Sequence, residues 1–175
     1  MRTALCLALA AALFVFPAGT HAEDSAAPLR IFLRGFVTAD SADVEIASKI
    51  ERTIAGDLRR DGALDALGPS DHWGPFDTAS SILNPAPPDV SGAPPFAYWR
   101  AEGARALVTG SVTRQSDGRL KTEVRLWDVT QELQLTGQQY FTEPENWRPL
   151  AHIIADRIYE QLTGKQGNLE TDNRN

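Results

Sequence analysis

This sequence is nearly free of cysteine and poor in histidine, and both shortages exclude kinds of chemistry. Its one cysteine, Cys6, lies within the first 22 residues, so residues 23–175 can form no disulfide and no catalytic thiolate. Only two histidines, His72 and His152, occur after residue 22. A zinc site needs three or four ligands, and His72 with the adjacent Asp71 would supply at most two.

Recognisable catalytic motifs are also missing. The sequence has no glycine-rich phosphate loop, no Gly-x-Ser-x-Gly elbow and no His-Glu-x-x-His. His152 falls in the middle of an apolar helical pattern, beside Ala151 and Ile153, which is typical of a partly buried structural histidine. We therefore predict no catalytic residues, no metal site and no cofactor, and we do not expect an enzyme.

Positive charge is in short supply. The chain has 17 Lys and Arg against 23 Asp and Glu, a formal net charge of −6 at pH 7. Nucleic-acid-binding proteins need a basic face, so this excess of acid argues against a nucleic-acid partner.

Long apolar runs are limited to the N-terminus, where the pattern is that of a secretory signal. Arg2 precedes an uncharged apolar run, Ala4 to Phe16, and Thr20-His21-Ala22 resembles a cleavage site. The run is shorter than the roughly 20 residues of a membrane-spanning helix. We predict a signal peptide over residues 1–22, no membrane span, and an exported product.

The first part of the mature chain predicts a strand, a helix and a second strand. Leu29 to Leu33 is apolar and β-prone. A helical stripe then follows at spacings of three and four, formed by Val44, Ala47, Ile50, Ile54 and Leu58, with Glu51 and Asp57 expected on the solvent side. Gly62 is the expected left-handed residue that ends this helix. Ala63 to Leu67 is predicted to be a short return strand.

Residues 68–95 form a different kind of segment, with seven prolines that oppose both helix and central strand. We predict a long Pro-rich loop within the domain. Pro95 to Gly103 follows as a short helix, with Phe96 and Trp99 on one face.

The clearest strand pair surrounds Ser116-Asp117-Gly118. A two-residue loop would put Val112 opposite Glu123, on mismatched faces. A three-residue loop instead pairs Val112 with Thr122 and Val108 with Leu126, with Gly118 in the left-handed position of a bulged turn. We predict the three-residue loop.

A third strand, Leu133 to Phe141, and a second long helix complete the pattern. The helix begins near Pro144, ends at Gly164, and carries a stripe formed by Trp147, Leu150, Ile154, Ile158 and Leu162. Residues 165–175 have no pattern and are predicted to be a disordered tail. The fold class is therefore α/β of the α+β kind, with helices packed on a mixed sheet of about five strands in one domain, residues 23–164.

Several separate segments resemble one known family. They are Ala106-Leu107-Val108-Thr109-Gly110, Val124-Arg125-Leu126-Trp127-Asp128, Leu135-Thr136-Gly137-Gln138, and a longer stretch from Asn146-Trp147-Arg148 to Leu162-Thr163-Gly164. In this order they are similar to the N-terminal domain of TolB, the periplasmic protein of the Tol–Pal system. Asp43 to Gly62 fits that domain's first helix more loosely.

The resemblance implies a role in the protein network that links inner membrane, outer membrane and cell division. In the family this domain precedes a six-bladed β-propeller that binds Pal, and the mature N-terminal segment contacts TolA. No blade-length repeat occurs in this sequence, so we expect TolA rather than Pal among the candidate partners.

Three hypotheses follow. The first is a periplasmic protein-interaction module that docks partners along an exposed strand, with Leu29, Ile31 and Leu33 at the expected sheet edge. The second is a truncated, TolB-like relic without an active partner. The third is a small-ligand-binding protein with a cleft beneath the Pro-rich loop, near Asp71, His72 and Trp73.

Overall fold

The computed structural model describes residues 27–60, 62–68 and 92–166. Five strands form one mixed sheet in the order β2-β1-β3-β4-β5. The strands are β1 (Leu29–Thr38), β2 (Leu64–Leu67), β3 (Ala106–Arg114), β4 (Leu120–Asp128) and β5 (Leu133–Thr142). The helices are α1 (Val44–Leu58), α2 (Phe96–Ala101) and α3 (Trp147–Thr163). The predicted α+β class, with helices on a mixed five-stranded sheet, is confirmed.

The sheet combines a parallel half with an antiparallel half. β1 pairs in parallel with β2 on one side and with β3 on the other. Parallel neighbours need a crossover, and α1 supplies it between β1 and β2. β3, β4 and β5 then form an antiparallel meander joined by short turns.

The β3–β4 hairpin has the predicted register. Val112 pairs with Thr122 and Val108 with Leu126. The Gln115 amide donates to the Arg119 carbonyl at 2.8 Å, and Gly118 closes the turn with φ of 91°. The three-residue loop is confirmed, because only this spacing keeps the apolar residues of both strands on one face.

Both long helices pack on the same face of the sheet. The main core lies between this face and α1 and α3, and its large members include Ile31, Leu33, Ile50, Ile54, Leu58, Val108, Leu120, Leu126 and Ile154. A smaller cluster covers one end of the opposite face, where α2 lays Trp99 against Phe32 at 5.5 Å between ring centroids. We call this opposite side the second face. The short helix predicted from the sequence, with Phe96 and Trp99 on one side, is confirmed as α2.

The polar side of α1 differs from the prediction. Val44, expected in the apolar stripe, is 54% exposed, whereas Glu51 and Asp57, expected in solvent, are each only 6% exposed. The reason is that α1 contacts both the sheet and α3, so its buried surface is wider than one stripe. The Glu51 carboxylate accepts a hydrogen bond from the Phe36 amide at 3.4 Å.

The ends of the elements follow the sequence signals. Gly164 caps α3 in the left-handed conformation with φ of 70°. Gly62 is also left-handed, with φ of 74°, but α1 itself ends earlier, at Leu58. The predicted signal peptide, residues 69–91 of the Pro-rich loop and residues 167–175 of the tail lie outside the described residues. Of the helices that are described, none has the length and apolar character needed to cross a membrane.

A bulge in β1 brings an aromatic ring onto a glycine. The pairing of β1 with β3 shifts between Arg34 and Val37, which places Phe36 over Gly110. A Cβ at Gly110 would lie 2.7 Å from the Phe36 ring, well inside contact distance. The glycine therefore provides space that the buried ring occupies.

Gly110→Ala should lower the free energy of unfolding by about 1–3 kcal/mol, because the added methyl group must displace the Phe36 ring. Urea denaturation measures the change. Gly56→Ala is the matched control, since Gly56 is exposed in α1 with no atom near its added Cβ. That control should raise stability by about 0.5–1 kcal/mol through helix propensity. Equal effects of the two substitutions would contradict the packing described for Phe36.

A buried ion pair connects the entry of α1 to the end of β3. Arg114 Nη2 lies 2.5 Å from Asp43 Oδ1, and the Asp43 side chain is fully buried while Arg114 is 39% exposed. Asp43 occupies the 3₁₀ turn Ser41–Asp43 that precedes α1. The pair thus fixes the start of the helix against the sheet.

Arg114→Ala should lower the free energy of unfolding by about 2–3 kcal/mol, because it leaves a buried carboxylate without its cation. The loss is somewhat smaller than for a fully buried pair, since Arg114 is partly exposed. Arg157→Ala is the control, because its partner Glu160 and Arg157 itself are largely exposed. That change should cost about 0.5 kcal/mol or less. Thermal unfolding of both variants gives the comparison, and a cost for Arg114→Ala no larger than the control's would contradict it.

Candidate functional site

The strand expected at the sheet edge lies inside the sheet. β1 pairs with β2 through Leu29 to Phe32 and with β3 along most of its length. Ile31 and Leu33 are 0% and 1% exposed, and Leu29 packs against the same core. The prediction of an edge at Leu29, Ile31 and Leu33 is therefore wrong. Sequence order misled it, because β2 and β3 both return to β1 from later positions in the chain.

The open edges belong to β2 and β5. β2 is four residues long, whereas β5 has ten residues and pairs only with β4. Most β5 side chains are exposed or half-buried. β5 is therefore the long, accessible edge in the described part of the chain, and we call its free side the β5 edge.

The register determines which β5 amides point outward. In an antiparallel pair, alternate residues direct both backbone groups toward the neighbouring strand. Gln115 bonds to Arg119 at the hairpin, so odd-numbered residues of β4 face β3 and even-numbered ones face β5. Gln138 and Tyr140, opposite Val124 and Thr122, accordingly bond to β4. Gly137, Gln139 and Phe141 direct their N–H and C=O groups to the β5 edge.

The composition of β5 does not protect this edge. Its ten residues, LQLTGQQYFT, include no charged side chain and no proline. Natural sheets usually guard long edges with lysine, proline or short strands, because unpaired amides invite another strand. Leu133 and Phe141 are 41% and 49% exposed, and they account for half of the four large exposed hydrophobic residues recorded in the described segments.

On the second face, one of two arginines in a row across the sheet lies close to the β5 edge. Arg34, Thr109, Arg125 and Gly137 are consecutive partners across four strands. Arg125 donates from Nη1 to Gln134 Oε1 at 2.9 Å, which is a neutral partner. Within the described residues, no carboxylate pairs with either Arg34 or Arg125.

The other cations beside β5 are already neutralised. Arg119 pairs with Asp117 at 2.8 Å and also lies over the Phe141 ring, 5.6 Å from its centroid. Lys121 pairs with Glu123 at 3.0 Å. Arg125 is therefore the cation nearest the β5 edge that lacks an acidic partner among the residues described.

On the opposite side of β5, Tyr140 faces α3. Burial raises the pKa of the Tyr140 phenol above its ordinary value, and the nearby Arg157 guanidinium opposes that rise. The hydroxyl group therefore stays protonated at neutral pH and donates to Gln138 Oε1. This side of β5 presents neutral hydrogen-bonding groups.

His152, which the sequence predicts to be a partly buried structural histidine, forms a contact between helices. His152 Nδ1 lies 2.5 Å from Asp57 Oδ2, and both side chains are largely buried between α3 and α1. Across the described segments, no group of three or more His, Cys, Asp or Glu residues is arranged to hold a metal ion. Asp71, His72 and Trp73 of the third hypothesis lie outside those segments.

The β5 edge was missed from the sequence for a specific reason. Leu133 to Phe141 was identified as a strand, but its alternation was weak and nothing in it showed that it would end the sheet. The available signal was the run of ten residues without a charge, which is unusual for an edge but ordinary for an interior strand.

Comparison with known proteins gives a family match. The sequence model of the TolB amino-terminal domain matches residues 22–135. This span includes α1 and strands β1 to β4, whereas the stretch from Asn146 to Gly164, where the sequence resemblance is strongest, lies beyond it.

Several solved structures of bacterial proteins are similar to this chain at low sequence identity. TolB from Acinetobacter baumannii is 18% identical with a TM-score of 0.57, and the alignment covers 82% of this chain but 30% of that one. A PelC dodecamer from Paraburkholderia phytofirmans is 16% identical, with a TM-score of 0.46, over 81% and 91% of the two chains. The LpoB C-terminal domain from Salmonella enterica is 16% identical, with a TM-score of 0.44, over 69% and 87%.

Amide hydrogen exchange should alternate along β5. The amides of Gln138 and Tyr140 should exchange slowly because they bond to β4, while those of Gly137, Gln139 and Phe141 should exchange quickly because they face solvent. Two-dimensional NMR in D₂O measures the individual rates. Uniform protection along β5 would contradict the open edge.

Proposed function

This chain belongs to the TolB amino-terminal domain family, and we propose that it is a protein-interaction module of the bacterial cell envelope. It acts in the periplasm after removal of its signal peptide. Its partners are proteins of the Tol–Pal system, with TolA as the first candidate. The chain spans about 30% of the length of the Acinetobacter baumannii TolB, so the activity of whole TolB proteins is not assigned to it.

The observation that carries the proposal is the β5 edge. Ten uncharged residues expose three outward-facing sets of amides and carbonyls, at Gly137, Gln139 and Phe141. An extended segment of a partner that adds to this edge gains main-chain hydrogen bonds without any rearrangement of the sheet. Phe141, which is half exposed beside Arg119, offers an apolar contact at one end.

The role is binding rather than catalysis. The buried titratable side chains in the described residues hold structural elements together: Asp43 with Arg114 joins α1 to β3, and Asp57 with His152 joins α1 to α3. Groups that are committed in this way cannot approach a substrate. In the part of the chain that the structure describes, the β5 edge offers accessible backbone hydrogen-bonding groups.

One substitution tests the edge while keeping the fold. Gln139→Pro removes an amide that faces solvent and leaves the ladder between β4 and β5 complete, a position at which edge strands tolerate proline. Gln139→Ala is the matched control, because it removes the same side chain and keeps the amide. Circular dichroism should give the same folded spectrum for all three proteins.

The wild-type protein and Gln139→Ala should crosslink to Tol–Pal components in a periplasmic pull-down, and Gln139→Pro should recover at least about ten-fold less. Calorimetric titration with purified TolA should show the same order. Absence of every Tol–Pal component from the wild-type sample would reject the assignment to this system. Equal recovery by Gln139→Pro would reject docking at the β5 edge.

A further inference from the structure

We propose that the β5 edge selects an acidic partner: it accepts an extended segment whose residue opposite Gly137 is a glutamate, which Arg125 recognises. This inference rests on the proposed function and specifies the chemistry of the partner. Three observations carry it: the position of Arg125, the absence of a side chain at Gly137, and the neutral hydrogen-bond partner of the Arg125 guanidinium.

The first observation is positional. Arg125 lies on β4, directly beside Gly137 of β5, on the second face of the sheet. Gly137 also directs its backbone groups outward, so a strand added to the β5 edge places one residue opposite Gly137 on that same face. The order of side chains across the face would then be Arg125, Gly137 and the partner residue.

The second observation is that the residue between them, Gly137, has no side chain. Neighbouring strands lie about 4.8 Å apart, so the partner residue would lie about 10 Å from the Arg125 backbone. An extended arginine and a glutamate can bridge that distance when the residue between them has no side chain. A Cβ built at Gly137 would lie 2.7 Å from Gln134 Nε2 and 3.8 Å from Arg125 Cγ. The Gln134 carboxamide therefore lies over Gly137 and must swing aside for a glutamate to reach Arg125, whereas a side chain at position 137 would block that approach permanently.

The third observation concerns charge. Arg125 donates to the neutral Gln134 carboxamide, and Gln134 is an exposed side chain on a strand end. A carboxylate forms a charge-assisted hydrogen bond that is roughly twice as strong as a neutral one. An incoming glutamate would therefore displace the Gln134 oxygen. Arg119 and Lys121 do not compete for it, since Asp117 and Glu123 already neutralise them.

The glutamate also explains selectivity in a protein that is acidic overall. The chain has a formal net charge of −6, so an acidic segment is repelled from most of its surface. It is attracted where an arginine lacks a carboxylate. Arg125 places that attraction at the one long strand edge of the described residues, which sets the register of the added strand as well as its charge.

Selection of random 12-residue peptides displayed on phage tests the proposal on the full mature chain. Wild-type protein should enrich β-prone peptides that share a glutamate at one position. Arg125→Glu should replace that glutamate by lysine or arginine. Arg34→Ala is the matched control, because Arg34 also lacks a carboxylate among the described residues but lies three strands from β5, and it should keep the glutamate.

Affinity measurements on the best selected peptide separate the contribution of the glutamate charge from that of main-chain hydrogen bonding at the β5 edge. Replacing its glutamate by glutamine should weaken binding to wild-type protein roughly 3- to 10-fold, and the same replacement should have little effect on Arg125→Ala. Bound peptide should protect the amides of Gly137, Gln139 and Phe141 in the wild-type protein, a readout that needs no variant to fold.

Peptides that protect these amides but share no acidic position would overturn this inference and leave the proposed function standing. Failure to select any peptide that protects them would also overturn it, and the periplasmic pull-down would then decide the proposed function separately. A glutamate preference that persists in Arg125→Glu would assign recognition to another residue and would equally reject the proposal.

Discussion

The packing of α1 and α3 side by side on one face of the sheet is the constraint on which the rest of the structure depends. Two amphipathic helices on the same face bury Ile31, Leu33, Val108 and Leu126 between them and the strands. Burial of large aliphatic side chains contributes roughly 1.5–3 kcal/mol each, so this layer supplies most of the stabilisation. It also leaves the second face covered only at one end, by α2.

Buried polar groups make this packing specific. Asp43, Glu51 and Asp57 all lie on or next to α1, and each is 6% exposed or less. Arg114, the Phe36 amide and His152 contact them from β3, β1 and α3 respectively. A sliding or rotated α1 would leave these carboxylates buried without a partner, which costs more than any apolar mismatch. These contacts therefore fix the position of α1 relative to the sheet and to α3.

The proposed docking surface lies where this packing ends. The helices cover one face of the sheet, and β5 at its margin retains exposed side chains and outward amides. The same face that lacks a helical cover near β5 places Arg125 within reach of the edge. Within the described residues, outward backbone groups and an arginine without an acidic partner thus occur together at one margin, and both support the proposed docking of an extended segment there.

Most local elements could be predicted from the order of residues alone. Apolar spacing located α1, α3 and the β3–β4 hairpin, and the loop Ser116-Asp117-Gly118 determined the register, because each of these depends on contacts between residues close in sequence. The family resemblance was likewise carried by short ordered segments. Which strand ends the sheet, and which charges are buried, depends instead on long-range packing. β1 became an interior strand, and Glu51 and Asp57 became core residues, because strands and helices distant in sequence pack against them. Their pairing energies depend on those partners and leave no periodic signal in the chain itself.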